Sequence, residues 1–300
     1  MDSCMSDAQG RIVCRGRAPK TTLSVFAGRR KNMRILNAYV ERLVAWGLVD
    51  EYHVWDFTRD PEDARWIRAY ASRAPEEMRR RTRVMRVRNK ASWREYYAYY
   101  AGLRDVHEDD VLIKCDDDVW FIDVQAFAGF IARRRQHRDV LALFPGVLNN
   151  GVCAHLQQRA GLLPRAVHGE LPYDTFMGRV VENGDVAHAL HAHFLEHRGA
   201  FLARSRALGH LGVHKHPLGD RISINFFAVL GADFGLLAGV GEDDEAEFSM
   251  LLPKKHRRNH GVDLSMVVVH GAFGSQRGAE FDEDAVRARY AELLGRAARP

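Results

Sequence analysis

Three consecutive acids, Asp116, Asp117 and Asp118, follow almost directly on the apolar run Val111, Leu112, Ile113. Two carboxylates about 4 Å apart repel by roughly 4 kcal/mol at an effective dielectric of 20, so a compact acidic triplet at a buried strand end requires a compensating charge. A divalent cation supplies one. Mg2+ and Mn2+ favour carboxylate and phosphate oxygens, and Mg2+ is typically held by one or two protein carboxylates while substrate phosphates complete its shell. The ligand expected at this triplet is therefore a metal-bound diphosphate. The competing structural explanation is an exposed acidic turn, because aspartate is a common turn residue.

Other clusters carry less chemistry. The histidines His188, His191, His193 and His197 lack an H-E-x-x-H pattern, and their spacing fits a helix with exposed imidazoles, so zinc is not the primary expectation. Tyr96, Tyr97, Tyr99 and Tyr100 lie at near-helical spacing and read as a packing surface rather than a sugar-stacking platform. Four widely separated cysteines with no C-x-x-C pair suggest neither a disulfide framework nor structural zinc.

The elements that must position the triplet alternate. Residues 21–28 read as a buried strand ended by glycine, and residues 32–46 carry Met33, Leu36, Tyr39, Val40, Leu43 and Val44 at helical spacing. Strands follow at 51–57, 81–87, 110–118 and 140–147, and helices at 61–74, 93–103 and 123–137. Strands alternating with helices of this length make an α/β fold, a mostly parallel sheet wrapped on both faces, with ligands beyond the carboxyl ends of the strands. The acidic triplet lies at such an end. Residues 149–198 lose the rhythm and are broken by Pro164 and Pro172, which reads as a substrate-facing insertion or lid. Further strands are expected at 221–231 and 264–270, and an amphipathic helix at 282–298 closes the chain.

On these residues the chain resembles the GT-A class of nucleotide-sugar glycosyltransferases, whose D-x-D motif follows a central strand. The resemblance implies Asp118 as metal ligand and Asp116 as metal ligand or ribose contact, with Asp117 beside the nucleotide. It extends to the acidic run Glu242, Asp243, Asp244, Glu245, which looks like the E-D-D segment of inverting members. There a carboxylate takes the proton from the acceptor hydroxyl, and Asp243 is the first choice for that base and Asp244 the second. Acids in a helix's first turn also suit its dipole without any catalytic reason. His270, after the apolar run 266–269, looks like the histidine metal ligand of many GT-A enzymes, and imidazole suits Mn2+ better than Mg2+. Arg277 would steady the departing diphosphate. On the donor side, Gly28, Arg29 and Arg30 follow the first strand, Asp56 ends the second, and Asn89 and Lys90 follow the third, all placed to approach base, ribose or phosphate.

What the resemblance implies is a metal-dependent transferase, with Mn2+ or Mg2+ as cofactor, passing a sugar from a nucleotide diphosphate donor to a glycan or other hydroxyl acceptor, with inversion. Residues 1–20 would be a flexible tail and 21–300 one GT-A-like domain. Within it, 21–148 would bind the nucleotide sugar, 149–278 would serve acceptor and catalysis, and 279–300 would form a C-terminal helix. The alternatives are a sugar-phosphate nucleotidyltransferase, for which Gly28, Arg29, Arg30, Lys31 is a thin match to a basic glycine-rich segment, and a non-catalytic carbohydrate-binding protein of the same fold. Neither a dinucleotide fingerprint nor a P-loop follows the first strand, which disfavours nicotinamide and P-loop chemistry.

Composition agrees. Three hundred residues with 46% hydrophobic content can bury a full core without staples. A net charge of +5 suits anionic ligands but is too small to argue for nucleic acid. With no apolar leader at the N-terminus and no stretch long enough to span a membrane, a cytoplasmic protein is expected. The arginine runs at 79–83 and 133–135 and the basic run at 254–258 would permit peripheral contact with anionic lipid headgroups, though a solvated face explains them equally.

Overall fold

Apolar runs become strands and the amphipathic stretches between them become helices through most of the N-terminal half. The structure, a computed structural model, describes residues 4–6, 12–14, 17–175, 178–278 and 280–296. Strands β1 (Cys4–Ser6) and β2 (Ile12–Cys14) pair as a small antiparallel sheet. Of the tail expected over 1–20, residues 1–3, 7–11, 15 and 16 lie outside the described residues, as do the last residues of the helix expected to 298. Next come β3 (Thr21–Ala27), α1 (Arg30–Ala45), β4 (Glu51–Asp56), α2 (Pro61–Arg73), α3 (Glu76–Arg81), β5 (Thr82–Arg86) and α4 (Arg94–Ala101). The middle contains β6 (Val111–Asp116), β7 (Val119–Ile122), α5 (Val124–Gln136) and β8 (Leu143–Leu148). Four helices follow, α6 (Gly151–Arg159), α7 (Arg165–His168), α8 (Arg179–Glu182) and α9 (Gly184–Ala207). The chain closes with β9 (His214–Lys215), β10 (Phe226–Leu230), α10 (Asp244–Ala246), α11 (Leu252–His256), β11 (Gly261–His270) and α12 (Glu283–Arg296).

Local chemistry sets these boundaries. The apolar stripe of α1 buries Met33, Leu36, Tyr39, Val40, Leu43 and Val44, spaced three and four apart on one face. Each such side chain, fully buried, contributes about 1.5–3 kcal/mol. Helix α2 starts where Asp60 accepts the N–H groups of Glu62 (2.7 Å) and Asp63 (3.0 Å), with Pro61 in its first turn. In α4, Tyr96, Tyr97 and Tyr100 are fully buried, so the tyrosine cluster is core; the ring of Tyr96 meets Phe26 edge-on at 4.5 Å.

The fold is mixed α/β, a curled central sheet with helices around it. The strand order is β5-β4-β3-β6-β10-β8-β11-β7, with β9 added alongside β11. The first four strands are parallel, and β10 enters antiparallel to β6. The order of the early strands reverses at β3, which has β4 on one side and β6 on the other, so a crevice opens beyond the ends of β3 and β6. At the β5 edge, Arg83 and Arg86 are exposed, and among the described strands β5 pairs only with β4.

Two differences from the sequence expectation matter. The strand expected over 110–118 ends at Asp116, and residues 119–122, which carry no strand expectation, form β7. Only Asp117 and Asp118 separate β6 from β7, a link of at most about 10 Å. Four strand spacings of ~4.8 Å would lie between them in a flat sheet, so the sheet curls and brings β11 over the end of β6. Residues 149–198 are mostly helical, and α9 buries Leu190, His191 and Phe194. Their polarity comes from a solvent-facing surface rather than a loop. Among the described residues, no helix is long and apolar enough to cross a membrane.

Candidate functional site

Strand register sets the floor of the crevice. Phe26 of β3 lies opposite Asp116 of β6, and Ala27 opposite Asp56 of β4. Asp117 then turns back under the β3–α1 connection. Its Oδ2 accepts the backbone N–H groups of Gly28 (2.9 Å) and Arg29 (2.7 Å), and its Oδ1 accepts from Arg29 Nε at 3.1 Å. A side chain at Gly28 would place its Cβ 3.3 Å from that carboxylate.

Asp118 faces the other way. Its Oδ2 accepts from Arg29 Nη2 at 2.8 Å, with Arg277 Nη2 at 3.8 Å. Its Oδ1 is buried, no hydrogen bond from any described residue reaches it, and His270 Nε2 stands 3.5 Å away. His270 Nδ1 lies 3.4 Å from the Asn149 carbonyl, which can only accept, so Nδ1 carries a hydrogen and Nε2, when the ring is neutral, turns a lone pair to Asp118. Two acceptors then oppose each other, an arrangement that calls for a proton or a cation between them. Burial works against the charge on Asp118, but once His270 holds that proton, its ring and Arg29 outweigh burial and hold this carboxyl well below the ordinary range.

The curl of the sheet builds this pair. His270 lies opposite Val119 in the antiparallel β11–β7 ladder, after a register shift at Val269, and the Gly271 N–H donates to the Asp118 carbonyl at 2.7 Å. A Cβ at Gly271 would stand 2.5 Å from the Trp120 ring, so only glycine fits. Asn149, fully buried with a left-handed φ of 60°, donates from Nδ2 to the Gly271 carbonyl (2.8 Å) and to Gln276 Oε1 (2.9 Å). Gln276 Nε2 donates back to Asn149 Oδ1 at 2.9 Å, and His191 Nε2 also donates to the Gly271 carbonyl at 2.8 Å. This network fixes the segment from His270 to Arg277. Arg277 itself pairs with Glu283 at 3.0 Å and reaches toward Asp118.

Asp116 has a counterion of its own. The buried Lys114 ammonium pairs with Asp116, donates to the Ile224 carbonyl at 2.8 Å and lies 4.7 Å over the Phe26 ring. Burial pushes the Asp116 carboxyl up, and Lys114 opposes the shift. Lys114 also senses Asp244, which accepts from the Tyr97 hydroxyl at 3.1 Å and whose carboxyl is pushed up by burial. Asp243 is exposed and accepts the Ala246 N–H at 3.0 Å, the helix-capping role that acids at a helix start fill without catalysis. Among the described residues, no three histidine, cysteine or acidic side chains converge as ligands of one ion.

The crevice is a cavity of about 500 Å³ bounded by Arg29, Asp116, Asp118 and Arg277 on its charged side. Its other wall is aromatic: Phe26 and Trp93 stack at 5.2 Å, and Phe57 lies 4.9 Å from each. These rings come from distant parts of the chain and carry no local signal. Lys114 does carry one, a lysine inside an apolar strand two residues before an acid. The remaining donor-side candidates turn elsewhere. Lys90 donates to Asp56 (3.1 Å) and to the Thr58 carbonyl (2.6 Å), Arg30 pairs with Glu62 at 2.7 Å, and the Asn89 side chain accepts the Ala91 N–H at 3.0 Å.

No protein-family model matches this chain, and no curated protein matches it. Among solved structures it is similar to GalNAc-T7, crystallised with UDP, GalNAc and Mn2+, at a TM-score of 0.47 and 11% identity. That match covers 93% of this chain, which spans about half of GalNAc-T7 (48%). It is also similar to 4-diphosphocytidyl-2C-methyl-D-erythritol synthase, at a TM-score of 0.40 and 14% identity, covering 93% of this chain and 99% of that one. Likenesses this remote assign neither a family nor an activity.

Proposed function

We propose that this chain is a metal-dependent glycosyltransferase that binds a nucleotide-diphosphate sugar in the crevice beyond the ends of β3 and β6 and transfers the sugar to a hydroxyl acceptor with inversion. The observation that carries this is the pair of opposed acceptors, Asp118 Oδ1 and His270 Nε2, beside two guanidiniums and an aromatic wall. A carboxylate and an imidazole are a donor set suited to Mn2+, with Asp116 a further carboxylate lining the same crevice. Bound there, a divalent ion supplies charge neutralisation to the departing diphosphate.

The chain's own residues do the rest. Phe26, Phe57 and Trp93 form the aromatic wall against which the nucleobase packs. Arg29 and Arg277 set positive charge where the leaving diphosphate gains its own. Asp244 is the base: its burial raises its affinity for a proton toward the working pH, whereas Asp243 is exposed and occupied as a cap. The acceptor O–H passes its proton to the Asp244 carboxylate. Its oxygen then forms the bond to the anomeric carbon, and the bond from that carbon to the diphosphate oxygen breaks with its electron pair on the diphosphate. The nucleotidyltransferase alternative needs a basic segment after β3 that meets a triphosphate, but Arg30 pairs with Glu62 at 2.7 Å and Lys31 with Asp284 at 3.2 Å, so Arg29 alone of that segment's cations lines the crevice.

Incubation with Mn2+ and a panel of UDP-, GDP- and ADP-sugars tests this. Release of the free nucleoside diphosphate is the expected result. Pyrophosphate formed from a nucleoside triphosphate and a sugar phosphate would instead select the nucleotidyltransferase, and neither product would overturn both enzymatic readings.

A further inference from the structure

A second hollow, of about 320 Å³, lies beside the Phe273 ring that packs on His270 and is walled by Asp174, Arg221, Ser223, Glu245, Phe273 and Ser275. We propose that it is a saccharide-binding site, so that the acceptor hydroxyl belongs to a sugar. This rests on the donor-side reading above.

Its position follows from the chain. Arg221 and Ser223 line it, and a few residues on, the Ile224 carbonyl takes the Lys114 ammonium and the Asn225 carbonyl takes the Asp116 N–H at 2.9 Å. Glu245 is the neighbour of Asp244, and the Phe273 ring lies 4.5 Å from the His270 ring. The hollow is therefore one residue from the proposed base and one ring from the proposed metal ligand, which is where an acceptor must stand.

The chemistry of the walls selects the ligand. Phe273, half-buried, presents an aromatic face of the kind that packs on the C–H face of a sugar ring. Arg221 Nε donates to Glu245 Oε1 at 2.6 Å, with its Nη2 3.9 Å from Asp243, so guanidinium and carboxylate form an ion pair in the wall of the hollow. Such a pair offers an acceptor and donors together, matching adjacent hydroxyls, each of which both donates and accepts. Two carboxylates against one guanidinium disfavour an anion. The volume is at the small end of ligand pockets, ~300–1,000 Å³, a size for a sugar residue rather than a length of peptide.

Ligand-observed NMR titration of the full chain with the methyl glycosides of glucose, galactose, mannose, N-acetylglucosamine and xylose tests the proposal. At least one is expected to bind saturably. Phe273→Ala should weaken that binding roughly tenfold or more, Phe273→Trp should retain it, and Glu245→Gln should weaken it. No saccharide binding by the wild-type chain, binding unchanged in Phe273→Ala and Glu245→Gln, or a serine-containing peptide bound with the same Phe273 dependence would overturn it. UDP, GDP and ADP titrated with Mn2+ on the same samples report the donor side separately. Nucleotide binding without saccharide binding sinks the hollow alone, and Phe273-dependent saccharide binding without nucleotide binding sinks the donor reading.

Discussion

Asp116, Asp117 and Asp118 are adjacent in sequence yet have three different environments. Asp117 anchors backbone N–H groups, Asp116 is paired with a buried lysine, and Asp118 leaves one oxygen facing an imidazole. Arg29 and Lys114 thus supply part of the compensating charge that the sequence assigns to a metal ion. At this scale three substitutions have expected outcomes. Asp118→Ala should abolish the Mn2+-dependent part of nucleoside diphosphate binding, read as a lost thermal shift, and equal shifts in wild type and variant would contradict the ligand role. Asp244→Asn should lower kcat by ~10²–10⁴. The base must be ionised to accept a proton, and burial raises its pKa, so the rate should fall as pH drops through a value above that of an ordinary aspartate. Lys114→Met removes a charge that opposes this shift and should move the acid limb of the pH–rate profile higher. A limb that stays in place would show that Asp244 does not set it. The acids themselves are legible in the sequence because their signal is local. Their counterions are not, since Arg29 lies about ninety residues from the aspartates it holds and only the fold joins them.

Among the elements, the parallel half was legible because each strand there is a short apolar run closed by a turn. Strand β7 was not, because its four residues run straight from the acids into the pattern of α5 and leave no break to read. That omission hides why His270 meets Asp118 at all: the β7–β11 ladder aligns them. Gly271 follows directly on the end of that ladder. Gly271→Ala forces a methyl group against the Trp120 ring and is expected to cost about 1–3 kcal/mol, measured by denaturant unfolding. It should also weaken the Mn2+ effect on nucleotide binding by shifting His270. An unchanged unfolding midpoint would mean that β11 relaxes freely.

For the whole molecule, acid is the weak direction. His191 and His260 are fully buried, and burial pushes both down to about 3. In the unfolded chain they titrate near 6.5, so between roughly pH 6.5 and 3 the unfolded state binds protons that the native state refuses. Stability should therefore fall as pH drops through this window, by up to about 1.4 kcal/mol per pH unit for each histidine. Glu51 adds to the loss lower down: hydrogen bonds from His53 and Lys20 hold it at about 2, so its contribution fades as pH falls from the unfolded value near 4.5. Against a total of about 5–15 kcal/mol, unfolding in mild acid is expected. A urea midpoint that stays flat from pH 7 to pH 4 would contradict it.

An open sheet border invites another chain to continue the ladder. Here that border carries Arg83 and Arg86, and an approaching copy would have to bring its own guanidiniums against them in a dry seam. Like charge at the rim therefore guards against strand-by-strand growth, whatever partner the crevice receives. Exchanging both arginines for valine should make the heated protein scatter light sooner.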